Sequence, residues 1–380
     1  MDQDLSTIVI DNGSSVFKAG LAGDEAPKVI IPAAVGRSKY APPYEQAKNN
    51  FGDLFFGSDI LLSPDLKLHY PIERGIVKNW DFLEKLYHNI FYKQLKLNPE
   101  EHPVLLTVPT LTPDRNREAY TQIMFETFNV PSIYIGDQAS LSLYSSGRDT
   151  GIICEVGDDL TQILCKYEKK IIKYTNEYAK LGGQDINQYL EKQMQLNHGV
   201  YADTSNMKES IRKMKEELCY VALDYAKEVQ KTHDASIYDA PYTFPNGQRV
   251  IICKERFECG ELLFRPNDFG IDTDGIAQMI FNNIKKCDDD LQRDLFSNIV
   301  LSGGATMMKG FPERVENEII KLSSMLKKFI KIKVVAPPEM KFGCWIGGSI
   351  FASLAPFPSL LLTKENYNEN GPGMANKLFK

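Results

Sequence analysis

The sequence lacks a hydrophobic run long enough to cross a bilayer, since its apolar stretches fall far short of the roughly 20 residues that a spanning helix needs. It also lacks a strong charge of either sign, because 44 basic and 50 acidic residues give a net charge of −6. This balance indicates neither nucleic-acid binding nor membrane-surface binding. The first residues, MDQDLST, are acidic and polar and show no signal-peptide pattern.

Cysteines with the spacing of a zinc site are also missing. The seven cysteines are an odd number scattered along the chain, so we read them as buried thiols of a reducing compartment. The apolar fraction of 43% and the charged fraction of 25% are ordinary for a soluble globular protein. A chain of 380 residues is long enough for two domains with full cores.

The stretch TIVIDNGSSVFKAG, residues 7–20, predicts a strand, a tight turn and a second strand. The carboxylate of Asp11 is a hard oxygen ligand suited to Mg²⁺ through water. Ser14 and Ser15 offer hydroxyls and backbone amides, and Lys18 offers a point charge for a phosphate oxygen. An ordinary hairpin with a polar turn explains this stretch equally well on its own.

The same pattern returns about 145 residues later, in TGIICEVGDDLTQILC at residues 150–165. Here the acidic residue is Glu155, and the turn is formed by Gly157, Asp158 and Asp159. Internal repetition on this scale carries more weight than either turn alone. It predicts two related domains that face each other across a phosphate.

Strands and helices alternate through the first half, which predicts an α/β sheet with helices on both faces. The periodicity predicts helices over residues 80–95 and 115–128 and a buried strand over 103–108. In the second half a long helix is expected over residues 204–225, capped by Asp203 or Thr204.

A predicted strand at residues 297–301 runs directly into Ser302, Gly303 and Gly304. Glycine has no Cβ to keep a ligand away, and ligands of α/β sheets bind at the carboxyl ends of parallel strands. A plain turn is the alternative for this short motif.

The residues described above carry a family resemblance along nearly the whole chain. DNGSSVFKAG resembles the first phosphate loop of the actin family, and EVGDDLTQ stands where the second loop is expected. The blocks YPIERGIVKNW, EEHPVLLT, TQIMFETFNVP, LSLYSSGRDTG, MKEELCYVALD, IVLSGGATM and APPEMKFGCWIGGSI are actin-like, in actin order and at actin spacing. The sequence is therefore similar to a divergent actin or to an actin-related protein such as a centractin-like one.

This resemblance implies an α/β, actin-like ATPase fold with two related lobes, four subdomains in all, around a nucleotide cleft. Residues 1–147 and 340–380 would form the outer lobe, with 33–70 as its small subdomain. Residues 148–339 would form the inner lobe, with about 184–270 as its small subdomain. The cleft would hold ATP or ADP with Mg²⁺ or Ca²⁺.

Site residues also follow from the resemblance, position by position. Asp11, Gln138 and Glu155 would surround the hydrated cation, and Gln138 and Gln162 would position the attacking water. A larger set would contact the nucleotide: Ser14, Ser15, Lys18, Gly157, Asp158, Arg212, Lys215, Glu216, Gly303, Gly304 and Lys341. Without the family, a solvated helix face is the simpler explanation for Lys215 and Glu216.

Four departures from the family pattern bear on catalysis. Ser15 replaces a glycine, which would cost on the order of 1 kcal/mol if the position needs a positive φ. Glu155 replaces an aspartate, and Asp159 replaces a glycine whose amide faces the phosphate. Gln162 replaces a histidine, and a glutamine orients water but cannot act as a general base. We therefore expect nucleotide binding with slow or absent hydrolysis, at most a weak ATPase.

Other departures bear on self-assembly. Residues 38–52 replace the family's DNase-binding loop and lack its apolar tip. The plug region, Asn267 to Gly275, contains three aspartates, whose burial between filament strands would cost desolvation. Arg74 stands at the position of the family's commonly methylated histidine. These features predict poor assembly into long conventional filaments, with neutral drift as the alternative.

Three functions compete at this point. The first is a cytoskeletal subunit of a filament, a minifilament or an actin-related complex. The second is a non-polymerising, nucleotide-clamped scaffold of a multi-protein complex, dynactin-like or nuclear. The third is an enzyme of the wider sugar-kinase and chaperone-ATPase superfamily, against which the actin-like blocks outside the phosphate loops argue. Expected partners are other actin-family subunits and actin-binding or complex proteins, in the cytoplasm or, alternatively, the nucleus.

Overall fold

The computed structural model describes residues 6–40, 54–232, 239–326 and 330–379. The chain forms two compact units. The first unit comprises Met1–Ser58, Leu68–Asp149 and Lys341–Lys380, and the second comprises Asp59–Lys67 and Thr150–Met340. The division into four subdomains stays a prediction.

The described strands are short and are numbered here in chain order. They are β1 (Ile8–Asn12), β2 (Val16–Leu21), β3 (Val29–Pro32), β4 (Val35–Ser38), β5 (Leu54–Phe55), β6 (Leu66–His69), β7 (Ile72–Glu73), β8 (Ile76–Val77), β9 (Val104–Val108), β10 (Ser132–Asp137), β11 (Gly151–Val156), β12 (Thr161–Tyr167), β13 (Lys170–Ile171), β14 (Glu177–Ala179), β15 (Ala240–Thr243), β16 (Arg249–Ile252), β17 (Ile299–Ser302), β18 (Val334–Val335) and β19 (Leu362–Thr363).

The described α-helices are numbered in the same way. They are α1 (Trp80–His88), α2 (Asp114–Gln122), α3 (Gln138–Ser145), α4 (Gly183–His198), α5 (Ser205–Leu218), α6 (Tyr225–Thr232), α7 (Glu255–Phe264), α8 (Ile276–Lys286), α9 (Asp289–Phe296), α10 (Phe311–Ser323), α11 (Gly343–Ala352), α12 (Lys364–Asn370) and α13 (Met374–Leu378). π-Helical turns at Asn89–Leu95 and Ile123–Thr127 extend α1 and α2, so the helices predicted over residues 80–95 and 115–128 are confirmed.

The first unit is built on a six-stranded sheet in the order β19-β10-β9-β1-β2-β3. β1 and β2 form the predicted antiparallel hairpin, with Ile8 opposite Leu21 and Asn12 opposite Phe17. β1, β9 and β10 run parallel, so their carboxyl ends lie at one edge of the sheet. This arrangement places the polar residues that follow β1 and β10 beside the end of β9.

Both faces of this sheet are covered by other parts of the first unit. Successive strand residues point to opposite faces, so they enter two different core clusters. Ile8 and Ile10 belong to the core cluster of Tyr87 and the other buried residues of the α1 side. Val9 belongs to a second cluster on the opposite face, with Leu141 of α3 and Trp345 of α11. Burial on both faces explains why the central strands read as continuous apolar runs.

α3 and α11 pack very closely on that second face. A Cβ built on Gly347 of α11 would lie 1.8 Å from the backbone oxygen of Leu141 in α3. The indole of Trp345 donates a hydrogen bond of 3.1 Å to the carbonyl of Val9. These contacts hold α3, whose first residue is Gln138, against the central strand β1.

The second unit repeats the same plan. Its main sheet has the order β13-β12-β11-β17-β18, with β14 paired to β12. β11 and β12 form the second predicted hairpin, and β17 runs parallel to β11. In each unit, therefore, the first strand of a hairpin has a parallel strand on its other side. The structure thus reproduces the repeat that the sequence pattern indicated.

One predicted helix is too long. The helix expected over residues 204–225 begins after the cap Thr204, whose side chain accepts from the amide of Met207, but it ends at Leu218. Cys219 is extended, and the amides of Tyr220 and Val221 donate to carbonyls of distant segments. Those tertiary hydrogen bonds replace the helical ones, so the predicted helix is wrong beyond Leu218.

We expect Gly347→Ala to lower the stability of the protein by about 1–3 kcal/mol, because the new methyl group would overlap the Leu141 backbone. Chemical denaturation at equilibrium measures the effect. Ile350→Ala, at a position that is 43% exposed on the same helix, serves as the control and should change the midpoint little. A raised midpoint for Gly347→Ala, as helix propensity alone predicts, would contradict the close packing.

Candidate functional site

The carboxylate of Asp11 is the centre of a buried polar cluster in the first unit. Asp11 is 2% exposed and lies near the end of β1. The Lys18 ammonium lies 2.6 Å from Oδ2, and the Thr107 hydroxyl donates a hydrogen bond of 2.6 Å to Oδ1. The hairpin register places Asp11 opposite Lys18, so the ion pair is a direct cross-strand pair.

These partners control the charge of the carboxylate. Burial by itself raises the pKa of Asp11, but the Lys18 ammonium and the hydrogen bonds from Lys18 and Thr107 outweigh burial and lower the pKa below 3.8. The side chain is therefore ionised at neutral pH.

Asn12 ties the turn to the neighbouring parallel strand. Its amide donates to the hydroxyl of Thr107 at 3.1 Å, and its side-chain nitrogen donates to the Thr107 carbonyl at 3.0 Å. The phenol of Tyr87 donates to the Asn12 side-chain oxygen at 3.0 Å, and burial raises the pKa of Tyr87 well above its usual range. The first turn is thus held from both sides by neutral groups.

Gln138 completes the cluster at the start of α3. Its Nε2 lies 3.5 Å from Asp11 Oδ1, 3.4 Å from the Asn12 carbonyl and 3.3 Å from Thr107 Oγ1. The preceding residue, Asp137, caps the helix by accepting from the Ser140 amide at 2.8 Å. The structure therefore brings together the side chains of Asp11, Lys18 and Gln138.

Ser14 and Ser15 lie in the turn between β1 and β2 and are half-buried. Ser15 does not have a positive φ, so replacing the family's glycine introduces no backbone strain here. Gly13 has the tighter constraint, because an added Cβ would lie 2.5 Å from the Val16 carbonyl oxygen.

The turn of the second hairpin is packed against a pair of glycines. The amide of Gly183 donates to the Gly157 carbonyl at 3.0 Å, and the Gln184 amide donates to the Asp158 carbonyl at 2.6 Å. A Cβ on Gly182 would lie 2.5 Å from the backbone carbonyl oxygen of Asp158, so only glycine fits at position 182. The beginning of α4 therefore holds this turn in place.

Asp158 and Lys215 form the charged part of the second site. A Cβ built on Gly183 would lie 3.1 Å from Asp158 Oδ1 and 3.5 Å from Lys215 Nζ, and that Nζ donates to the Gly183 carbonyl at 3.2 Å. Burial raises the pKa of Asp158, partly offset by the Lys215 charge. Burial likewise lowers the pKa of Lys215, partly offset by Asp158. The half-buried ε-ammonium, which is bonded to the Gly183 carbonyl, contradicts the solvated-face alternative for Lys215.

Glu155 occupies the end of β11 between two neighbouring strands. It lies opposite Gln162 in β12 and beside Ser302 in β17. Gly303 follows with a φ of +96°, and a Cβ there would lie 2.2 Å from the Val156 carbonyl oxygen. The predicted Ser-Gly-Gly turn thus lies against the second hairpin, and glycine is required by its conformation as well as by its contact.

The other residues predicted to contact the nucleotide are Arg212, Glu216, Gly304 and Lys341. On α5, Arg212 makes two hydrogen bonds to Glu209 and pairs with Glu216, and the bonds to Glu209 raise the pKa of Arg212. A Cβ on Gly304 would meet open space. Lys341 belongs to the first unit, in the short turn Met340–Phe342.

Sequence reasoning missed several residues that build these sites. Thr107, Asn12 and the glycines at 182 and 183 were not singled out. Thr107 could have been found, because it lies at the carboxyl end of a predicted parallel strand, where α/β proteins place their polar site residues. The close packing of Gly182 on Asp158 has no local signal in the sequence.

The donor chemistry fits a cation held through water and phosphate better than one held by protein ligands alone. In the described residues, no group of three or more His, Cys, Asp or Glu side chains could hold a metal ion. Mg²⁺ keeps several waters and commonly binds through one or two carboxylates plus substrate phosphates. The ionised Asp11 beside the Gln138 amide suits such an outer shell.

A comparison with known protein families shows to which family the chain belongs. The model of the Actin family matches residues 2–380. The chain belongs to the actin family. The α/β fold described above is the fold of this actin-family protein, as the resemblance implied. Over the described ranges, no helix of the actin-family chain has the length and apolarity that a membrane crossing requires.

We expect Lys18→Met to lower the free energy of unfolding by about 3–5 kcal/mol at pH 7, because it leaves the Asp11 carboxylate buried without its cation. Without Lys18 the pKa of Asp11 should rise above 3.8, since burial then dominates. If the pKa of Asp11 is higher in the folded variant than in its unfolded chain, ionisation of Asp11 costs folding free energy at pH values above 3.8. The loss of unfolding free energy should therefore become smaller as the pH falls from 7 toward 4 and Asp11 becomes protonated.

Urea unfolding at several pH values measures this deficit. Lys28→Met is the matched control, because Lys28 is 56% exposed and pairs with Asp24 on the surface. Its cost should be below about 1 kcal/mol. Equal effects of the two variants, or a Lys18→Met deficit that does not change with pH, would contradict the buried-pair interpretation.

Proposed function

We propose that this protein is a cytoskeletal member of the actin family that binds ATP or ADP together with Mg²⁺ or Ca²⁺. The observation that supports this most is the buried Asp11–Lys18 pair, with Thr107 and Gln138, at the carboxyl end of parallel strands. We propose the cytoplasm as its location and other actin-family subunits or actin-binding proteins as its partners.

In this proposal the first hairpin holds phosphate and cation. The Lys18 ammonium, which donates to Asp11 at 2.6 Å, would also bind phosphate oxygens as a point charge. The amides and hydroxyls of Ser14 and Ser15 would bind the same phosphates. Asp11, Gln138 and Glu155 would accept hydrogen bonds from the water shell of the cation, which when bound neutralises phosphate charge.

Residues of the second unit would also contact the nucleotide. Gly157 would line the phosphates as part of the second loop, and Asp158 would accept from the ribose. Lys215 would lie along the nucleoside, with Arg212 and Glu216 on the same helix. Gly303 and Gly304 would let the backbone approach the ligand, and Lys341 would contact the nucleotide as well.

Hydrolysis should be slow or absent. Gln162 of β12 is 6% exposed. In the sheet it lies between Glu155 of β11 and Tyr178 of β14. Its amide can orient a water but cannot remove a proton near neutral pH. Asp159 is also buried, and a carboxylate at this turn opposes the charge of a triphosphate. ATP would then act as a structural ligand more than as a substrate.

For assembly, we propose short filaments, minifilaments or an actin-related complex. In the plug region, Asp268, Asp272 and Asp274 are exposed. Its apolar residues are used internally, since Phe269 packs on Tyr189 and Ile271 packs on the second unit's core. Of residues 38–52, those from 41 onward lie outside the described residues. A non-polymerising scaffold subunit, dynactin-like or nuclear, is the second candidate, favoured by the charged plug.

We expect Gln162→His to raise the single-turnover rate of phosphate release by about 10- to 100-fold, because an imidazole can act as the general base. The gain should be larger at pH 8 than at pH 5.5, since only the neutral ring accepts a proton and its usual pKa is about 6.5. Gln195→His, on the exposed side of α4, is the control. An unchanged rate in a variant that still binds ATP would refute the role of position 162.

We expect most of the protein to stay in the supernatant on high-speed sedimentation after Mg²⁺ and salt are added, at concentrations where conventional actins pellet. Replacing Asp268, Asp272 and Asp274 by asparagine should increase the pelleted fraction, because less charge must be desolvated. The same replacement at the exposed residues Asp288, Asp290 and Asp294 is the matched control. Robust pelleting of the unmodified chain would contradict this prediction.

A further inference from the structure

The Thr107 side chain lies within hydrogen-bond distance of Asp11, Asn12 and Gln138 in the first-unit cluster. It is fully buried near the end of β9, which lies between β1 and β10 in the sheet. The strand register places Leu106 beside Ile10 and Thr107 beside Gly136. Thr107 is therefore adjacent both to the turn after β1 and to the segment that leads into Gln138.

The hydrogen-bond directions at the Thr107 hydroxyl are fixed by its partners. The amide of Asn12 can only donate, so Oγ1 accepts from it at 3.1 Å. The carboxylate of Asp11, ion-paired with Lys18, can only accept, so the single hydroxyl hydrogen goes to Oδ1 at 2.6 Å. A second acceptor site on Oγ1 then remains for a donor.

That donor is the Gln138 side-chain amide. The atom 3.3 Å from Thr107 Oγ1 also lies close to the Asn12 carbonyl and to Asp11 Oδ1, and both of these are acceptors. The amide oxygen cannot donate, whereas the two hydrogens of the NH₂ group can be shared among these acceptors, so the network decides which end of the amide points inward. The carbonyl oxygen of Gln138 is consequently the end of the amide that does not face these three acceptors.

We propose that Thr107 is a positioning residue, whose hydroxyl sets the orientation of the Asp11 carboxylate and the Gln138 amide toward the hydrated cation and the attacking water. This inference rests on the proposed function, because it concerns the same nucleotide and cation. Thr107 is fully buried, so it would act through Asp11 and Gln138 and not by contact with the ligand. Groups that orient the residues around a metal commonly change metal affinity or activity by about 10- to 100-fold when removed.

Two substitutions separate this role from simple packing. Thr107→Val keeps the shape and removes the hydroxyl, whereas Thr107→Ser keeps the hydroxyl and removes a methyl group. Thr121→Val is the matched control, because Thr121 is also fully buried and its hydroxyl donates only to the Arg117 carbonyl of its own helix.

The main readout is the factor by which Mg²⁺ strengthens ATP binding, from the dissociation constants of a fluorescent ATP analogue in excess Mg²⁺ and in chelator. We expect Thr107→Val to reduce this factor by about tenfold while the affinity in chelator changes less than about threefold. Thr107→Ser and Thr121→Val should keep the factor of the unmodified protein. The single-turnover rate of phosphate release, where measurable, should follow the same order.

The outcomes distinguish the inference from the proposal on which it depends. An unmodified protein that binds no ATP overturns the proposed function. An unmodified protein that binds ATP more tightly with Mg²⁺, but whose Thr107→Val variant keeps the full factor, overturns the positioning role alone. Equal losses in Thr107→Val and Thr107→Ser would also overturn it, because the methyl group and not the hydroxyl would then be responsible.

Discussion

The structure of the first unit depends on stabilising the buried, ionised carboxylate of Asp11. Asp11 is 2% exposed at the end of the central strand, and an ion in that position is unfavourable unless it is paired and fully hydrogen-bonded. The hairpin supplies Lys18 from the next strand, and the parallel strand β9 supplies the hydroxyl of Thr107. The requirement to satisfy this carboxylate thereby fixes the turn, the strand ends and the start of α3. A polar cluster of this kind contributes specificity of arrangement more than net stability.

The second unit repeats the plan with different chemistry. Its hairpin also has a parallel strand beside it, but Glu155 and Gln162 occupy the ends of the paired strands. Its turn is held by backbone contacts with Gly182 and Gly303, where an added Cβ would collide with backbone oxygens. The charged pair of this unit, Asp158 with Lys215, lies near the Gly183 backbone instead of across the hairpin. The two repeats have therefore kept their topology while their polar side chains have diverged.

Much of this could be predicted from the sequence. The two hairpins and the buried strand ending at Val108 followed from apolar runs and turn residues, since both signals are local. The end of α5 at Leu218 could not, because the next residues form hydrogen bonds to segments far away in the chain. Likewise the contact of Gly347 with Leu141, and the hydroxyl of Thr107 on Asp11, arise only once the strands and helices are packed. The helices α6, α7, α9, α12 and α13 were not predicted, being either weakly amphipathic or short.

The central claim is that the buried Asp11–Lys18 pair serves an adenine nucleotide with its cation. The most direct test is the nucleotide content of the protein purified in Mg²⁺, released with acid and quantified by chromatography. The account predicts close to one adenine nucleotide per chain, with loss of that nucleotide when Asp11 is replaced by asparagine in a variant that remains folded. Protein that is folded and free of nucleotide, and that takes up none when ATP and Mg²⁺ are supplied, would contradict it.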